Sequence, residues 1–319
     1  MDFFMFDPDR FISEAVKGIK RSVISKAVVA CSGGVDSTVV AVLASRALKD
    51  QAFTVFVDHG VLRKNEAKNV CELLTKMNVN YEFVDASDEF FKALRGVEKP
   101  EEKRKIIGAK FIDVFDRVAK KFKAEYLIQG TIAPDWIESG GALRDTIKSH
   151  HNVGGLPKKM KLKLCEPLRD LYKDEVRKVA SALGLPTANR QPFPGPGLAV
   201  RIMGEVTREK ARIAREACAI AEEEIEKAVS AGKIERPWQY FAVLLPQKSV
   251  GVHGDVRAYG YTIVVRAVES LDGMTAAYSK IPHEVLERIS VRITNTLKED
   301  VTRVAYDISN KPPGTIEWE

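Results

Sequence analysis

Between residues 27 and 49 the sequence passes from a short apolar run, Ala27-Val28-Val29-Ala30-Cys31, through Ser32-Gly33-Gly34-Val35-Asp36-Ser37 and straight into a helical pattern. Few architectures accommodate that passage. A short apolar run closed by turn residues reads as a strand buried on both faces, the kind found in parallel sheets. Three more runs follow, at 53–57, 81–84 and 126–128, and each ends in polar residues or glycine: Asp58-His59-Gly60, Asp85-Ala86-Ser87 and Gln129-Gly130-Thr131. Helical spacing fills the gaps, at 36–49, 64–77 and 103–121, after a first helix opened by Asp7-Pro8. Strands alternating with helices predict an α/β fold, a doubly wound parallel sheet, with its ligand at the carboxyl ends of the strands.

The alternation fails after residue 132. The glycine- and lysine-rich segment 139–163 predicts a lid loop, or else a solvated basic loop, and a helix follows at 172–183. Five of the seven residues 191–197 are proline or glycine, which predicts a boundary between a first domain at 1–190 and a second at 191–319. The second domain reads as a smaller α+β unit, with helices at 207–230 and 283–298 and strands at 239–245, 261–268 and 301–308. The chain has 319 residues and a net charge of +6, a mild basic excess that suits anionic small molecules better than nucleic acid. Its four scattered cysteines, the lack of a basic n-region and the lack of a long apolar run predict a reduced, cytoplasmic protein with no membrane span.

The turn at 32–37 has the chemistry of an anion cradle. Glycines permit close approach of the backbone, the N–H groups at a helix start point at the ligand, and Ser32, Ser37 and Thr38 add hydroxyls. Asp36 is the odd member, since a carboxylate repels phosphate unless it holds a bridging Mg2+. The spacing matches neither GxxxxGK[ST] nor GxGxxG. The plainer reading is a capping turn in which Asp36 merely favours the helix N-terminus.

The hexapeptide resembles the PP-loop of the ATP pyrophosphatases, enzymes that cleave ATP between the α and β phosphates. Further stretches narrow the resemblance to GMP synthetase: Val57-Asp58-His59-Gly60-Val61-Leu62-Arg63, Lys103-Arg104-Lys105-Ile106-Ile107-Gly108, Gln129-Gly130-Thr131 with Pro134-Asp135, Ile137-Glu138-Ser139, Lys148-Ser149-His150-His151-Asn152, PFPGPG, Ser249 to Asp255, and the terminal KPPGTIEWE. The resemblance implies a ligase of purine nucleotide biosynthesis. In such an enzyme the carbon-2 oxygen of XMP attacks the α-phosphorus of ATP, and ammonia then displaces AMP to give GMP.

It also implies roles for individual residues. Ser32, Gly33, Gly34, Val35, Asp36, Ser37 and Thr38 would hold ATP, with Asp36 on Mg2+, and Val57 would border the adenine unless it is simply a core valine. Arg104, Asp255, Arg257, Lys311 and Glu317 match XMP-binding positions, although Lys103 and Lys105 make a solvated helix charge the competing reading of Arg104. Lys158 and Lys161 would act on the leaving pyrophosphate from the lid, and Asp135 and Glu138 would orient ammonia or bind Mg2+. His59 stands where relatives often have Asn and takes no catalytic role.

None of Cys31, Cys71, Cys165 and Cys218 sits on the glycine-rich elbow that a glutaminase nucleophile needs. The chain therefore reads as the synthetase subunit of a split enzyme. It would take ammonia directly or from a separate glutamine amidotransferase subunit, and would form a homodimer through its C-terminal domain. A tRNA-modifying enzyme using the same ATP chemistry is the competing reading. It would call for a catalytic cysteine pair or an RNA-binding domain, and neither is visible.

Overall fold

The computed structural model of the chain describes residues 6–134, 162–186, 191–271 and 273–319, except for the side chain of His253. By packing, these form two compact units. One comprises residues 1–59, 65–86 and 104–190, and the other 60–64, 87–103 and 191–319.

The first unit opens with α1 (Pro8–Ser22), whose N-cap Asp7 accepts hydrogen bonds from the Asp9 and Arg10 N–H groups. Then come β1 (Ala27–Cys31), α2 (Val35–Leu48), β2 (Ala52–Asp58), α3 (Glu66–Lys76) and β3 (Tyr81–Asp85). After α4 (Ser87–Leu94), which belongs to the second unit, the chain continues through α5 (Pro100–Phe122), β4 (Tyr126–Ile128), β5 (Lys163–Cys165) and α6 (Lys173–Ala182). All five strands run parallel in the order β3-β2-β1-β4-β5. The order turns back between β1 and β4, and in sheets of this kind ligands bind in the crevice at that reversal. The apolar sequence of β1 is buried on both faces, and α2 buries ten of its residues. The doubly wound sheet is therefore present. Strand β5, only three residues long and with Lys163 and Leu164 exposed, lacks the apolar signature that marks the others.

The second unit has a 3-10 turn at Gly197–Arg201, α7 (Arg208–Ser230), β6 (Gln239–His253), β7 (Val256–Glu269), β8 (Ala277–Tyr278), α8 (His283–Thr296) and β9 (Val301–Tyr306). Strand β7 pairs antiparallel with β6 and β8 and parallel with β9. The strands expected at 239–245 and 261–268 extend into one long hairpin that turns at Gly254-Asp255. Its outer half escapes an apolar pattern because its side chains are largely exposed. The two glycines in that half are steric requirements, since an added Cβ would lie 2.7 Å from Thr302 Cγ2 at Gly251 and 2.8 Å at Gly260.

Segments 60–64 and 87–103 belong to the second unit although they lie inside the expected first domain. Arg63 donates to the Gln191 and Pro192 carbonyls and lies over the Phe193 ring at 4.2 Å, and Arg215 donates to Gly60 O and Leu62 O.

Three buried cations then fasten the C-terminal tail. Arg266 donates to Ser309 O, Thr315 O and Ile316 O at 2.9–3.0 Å. Arg201 makes a two-pronged pair with Glu317 at 2.8 and 3.1 Å and lies between the Phe193 and Phe241 rings. Lys103, expected as a solvated helix charge, is instead fully buried, bonded to Ala199 O, Ile202 O and Glu319. Desolvation pushes the Lys103 amine below its ordinary pKa, against the opposing pull of Glu319. Stripping partners from a buried charge costs about 3–5 kcal/mol, so removing the tail would damage the fold itself.

Across the α7–α8 seam Glu224, 3% exposed, accepts from Lys227, Arg288 and Arg292 at 2.6–3.1 Å. Burial works to raise its pKa, yet the three cations overcome it and hold the carboxyl down at about 2, from an ordinary 4.5. A depressed carboxyl contributes stability that is full above its unfolded value and is lost as pH falls through the folded one. Glu224→Gln is expected to lower unfolding free energy by about 1–2 kcal/mol at neutral pH, with the difference shrinking between pH 5 and about 2. Urea melts at a series of pH values test this, and a pH-independent difference would contradict it.

Candidate functional site

The turn after β1 owes its shape to two glycines and to its own hydroxyls. Gly33 has φ +79°, and a Cβ there would lie 2.7 Å from Val70 Cγ2, so both conformation and space demand glycine. Gly34 is the N-cap of α2 and supplies no side-chain cap, which leaves first-turn N–H groups available to a ligand. Ser32 N–H donates to Ser37 Oγ at 3.1 Å. The hydroxyls of Ser37 and Thr38 donate to Gly34 O at 3.2 and 2.7 Å. These two side chains are buried and brace the loop from inside, whereas Ser32 is exposed.

Gly130, just beyond β4, seats the start of α2. A Cβ at 130 would stand 3.0 Å from both Asp36 C and Ser37 N. Contact of this closeness with backbone leaves no room for a side chain. It holds the helix N-terminus over the β1–β4 seam, where the strand order turns back. On either side of Gly130, Gln129 Nε2 and the Thr131 hydroxyl both donate to Glu166 Oε1, at 2.9 and 2.5 Å, tying the ends of β4 and β5 together.

Asp36 lies in the first turn of α2 with its two oxygens in different settings. Oδ2 accepts from Lys173 Nζ at 2.6 Å, while Oδ1 is buried and has no hydrogen-bond partner. An unsatisfied buried acceptor costs about 1–3 kcal/mol, the mark of an atom kept for a ligand. Among the described residues no three His, Cys, Asp or Glu gather at one point. One carboxylate beside a phosphate cradle is nonetheless the donor set Mg2+ favours, because that ion takes one or two carboxylates and completes its shell with phosphates and water. The residues present therefore fit Mg2+ delivered with a nucleotide.

Lys173 had no motif to announce it. Its signal in the sequence is a cation at the first position of a helix, where the dipole favours the Asp174 and Glu175 that follow. Val57 is buried at the carboxyl end of β2, next to Asp58. His59 is 4% exposed with its ring edge-on to Phe111 at 5.3 Å, a packed position. Lys158, Lys161, Asp135, Glu138, His150 and His151 lie outside the described residues. Burial pushes all four cysteine thiols above their ordinary pKa, Cys165 to about 11, so none is an activated nucleophile.

The remaining expected residues divide. Arg104, half-buried on α5, belongs to the first unit, and the other four belong to the second. Asp255 and Arg257 are exposed at the turn of the β6–β7 hairpin. Lys311 and Glu317 sit at the other end of that sheet. Lys311 pairs with Ala276 beside β8 and donates to Gly273 O, and Glu317 accepts from Arg201 and Gln239. At roughly 3.3 Å per residue the 14-residue β7 puts about 40 Å between the two pairs. One chain does not bring them together.

Known proteins place this site in context. The family described as NAD synthase matches residues 9–110, and the family described as GMP synthase C terminal domain matches residues 223–318. Among solved structures, an NMN synthetase from Francisella tularensis superposes with a TM-score of 0.50 at 15% identity, covering 65% of this chain and 85% of that one, a likeness of fold. One of the two subunits of the glutamine-hydrolyzing GMP synthase of Pyrococcus horikoshii is 61% identical over 317 residues, 98% of this chain and 100% of the relative. The corresponding subunit from Methanopyrus kandleri is 58% identical over 319 residues, 99% of this chain and 100% of the relative. With a nucleotide cradle at the reversal of a parallel sheet and likeness of this extent across nearly its whole length, the chain belongs to this family of glutamine-hydrolyzing GMP synthase subunits.

Proposed function

We propose that this chain is the synthetase subunit of a GMP synthase, converting XMP, ATP and ammonia to GMP, AMP and pyrophosphate. The observation that carries the reading is the bare N-terminus of α2, fixed by Gly33 and Gly130 over the sheet reversal, with Asp36 holding one oxygen in reserve. The cradle grips the outer two phosphates of ATP, so that the α-phosphorus faces the incoming carbon-2 oxygen of XMP. Adenylylation turns that oxygen, a very poor leaving group, into one that ammonia can displace. Mg2+ on Asp36 neutralises charge that builds on the departing pyrophosphate. The N–H groups of the α2 start orient the same phosphates, and positioning with charge neutralisation supplies most of the acceleration.

Ammonia comes from a partner. The relatives are described as one subunit of a glutamine-hydrolyzing enzyme, and every thiol here has a raised pKa. Both facts favour a separate glutamine amidotransferase subunit. We assign Arg104, Asp255, Arg257, Lys311 and Glu317 to XMP. Because the hairpin tip and the tail lie at opposite ends of β7, a site using both takes one pair from each of two chains in a homodimer. Exposed Val250, Val252, Val256 and Tyr259 around the tip supply apolar area for that association. We assign the enzyme to the cytoplasm on the nature of its substrates; among the described residues no helix is long and apolar enough to cross a membrane.

Incubation with ATP, Mg2+, XMP and ammonium is expected to yield AMP, pyrophosphate and GMP in equal amounts. Asp36→Asn is expected to reduce all three by a factor of about 100 or more while the protein stays folded. ADP as the nucleotide product would overturn the reading. Glutamine alone is expected to support no turnover of the isolated chain, and robust glutamine-dependent synthesis would contradict the separate partner. Mixing inactive Asp255→Ala and Lys311→Ala chains under subunit exchange is expected to restore about a quarter of wild-type activity, since half the dimers carry one intact site. A mixture that stays inactive would place all XMP contacts within one chain.

A further inference from the structure

Asp36 keeps Oδ1 buried without a partner and gives Oδ2 to Lys173 at 2.6 Å. Lys173 is the first residue of α6, and α6 packs on α1 and α2, so helix packing delivers the amine to the cradle. It does so against the helix dipole, which disfavours a cation at that end. The acid nearest along α6 that could hold it instead is already engaged, because Glu175 accepts from the Tyr172 N–H at 2.8 Å. The Lys173 side chain is 45% exposed and Asp36 23%, so the amine can swing out into solvent without unfolding anything.

We infer that Lys173 is the resident counter-ion of Asp36, a place-holder that a divalent cation must displace from the carboxylate before it binds. This rests on the proposed role of Asp36 as metal ligand and goes beyond it by setting an order. In the nucleotide-free protein the metal competes with an amine tethered at high local concentration, and Asp36 is a poor metal site. The triphosphate changes the balance, since its oxygens complete the metal's shell and give the displaced amine an anion to face. Metal therefore enters with the nucleotide and not ahead of it. The cradle thus stays closed to adventitious divalent ions.

Mn2+ binding to the full-length, nucleotide-free chain, followed by electron paramagnetic resonance of the free ion, tests the inference without turnover. Lys173→Met is expected to bind Mn2+ at least tenfold more tightly than wild type, and Lys173→Arg is expected to restore the weak binding. Lys173→Gln, which keeps a polar side chain, repeats the measurement should the Met variant fold poorly. Adding Asp36→Asn to Lys173→Met is expected to abolish the gain. Unchanged or weaker Mn2+ affinity in both neutral variants would overturn the place-holder role and leave the assignment of Asp36 intact if wild type still forms AMP and pyrophosphate. A gain that survives Asp36→Asn would overturn both, because the metal would then sit elsewhere.

Discussion

Two backbone approaches too close for any side chain determine where the chemistry of the first unit occurs. The start of α2 rests on Gly130 at 3.0 Å, and the preceding turn passes Val70 with room only for the hydrogen of Gly33. With a side chain at either position the helix start would be pushed off the seam between β1 and β4. The first-turn N–H groups would then point into open solvent, where an anion gains little. The hydroxyls of Ser37 and Thr38 hold the turn against Gly34 O, so the cradle is shaped before any ligand arrives and little ordering entropy opposes binding.

The second unit depends on desolvated charge. Lys103, Arg201 and Arg266 are each fully buried, and the partners of all three include residues of the C-terminal tail. A tail with little apolar content, Ser309 to Glu319, thus acquires a defined path because leaving it would expose three uncompensated charges. Glu317 takes two parts in this arrangement. It satisfies Arg201 and Gln239, and with one side still partly exposed it remains able to meet a ligand. A bidentate guanidinium fixes the plane of that carboxylate in a way a lysine would not.

The parallel sheet could be read from sequence because strands buried on both faces are apolar at every position, and the turn at 32–37 because glycine pairs beside an acid at a helix start are rare. What escaped reading was set by tertiary contact. Strand β5 is an exposed three-residue edge, and β8 has two residues. The outer hairpin is held by pairing and by Thr302, and its side chains carry no alternation of burial. Lys103 looks like one of a run of three surface cations until the fold brings Ala199, Ile202 and Glu319 around it. Lys173 meets Asp36 across 137 residues of chain, a pairing no local pattern encodes. The segments 60–64 and 87–103 leave their expected domain because the arginines that bind 60–64, or lie within it, are far away in sequence or bond to distant carbonyls.

Which bond of ATP breaks follows from where positive charge is concentrated. A phosphate loop that contains its own lysine carries that charge within one segment. The turn here contains none, and instead draws on a helix N-terminus, a carboxylate suited to a metal and a lysine from another helix. Those three sources come from β1–α2 and α6, and they surround a volume that suits two phosphoryl groups and not the nucleoside. Charge stabilisation is then greatest on the outer pair, so pyrophosphate is the leaving group that the arrangement favours and the α-phosphorus is the centre left open to attack. The same logic explains why a carboxylate persists in an anion site. Without Asp36 the cradle would still bind polyphosphate, but its cations would be helix dipole and lysine alone. Neither matches the doubly charged ion that two developing phosphate charges require.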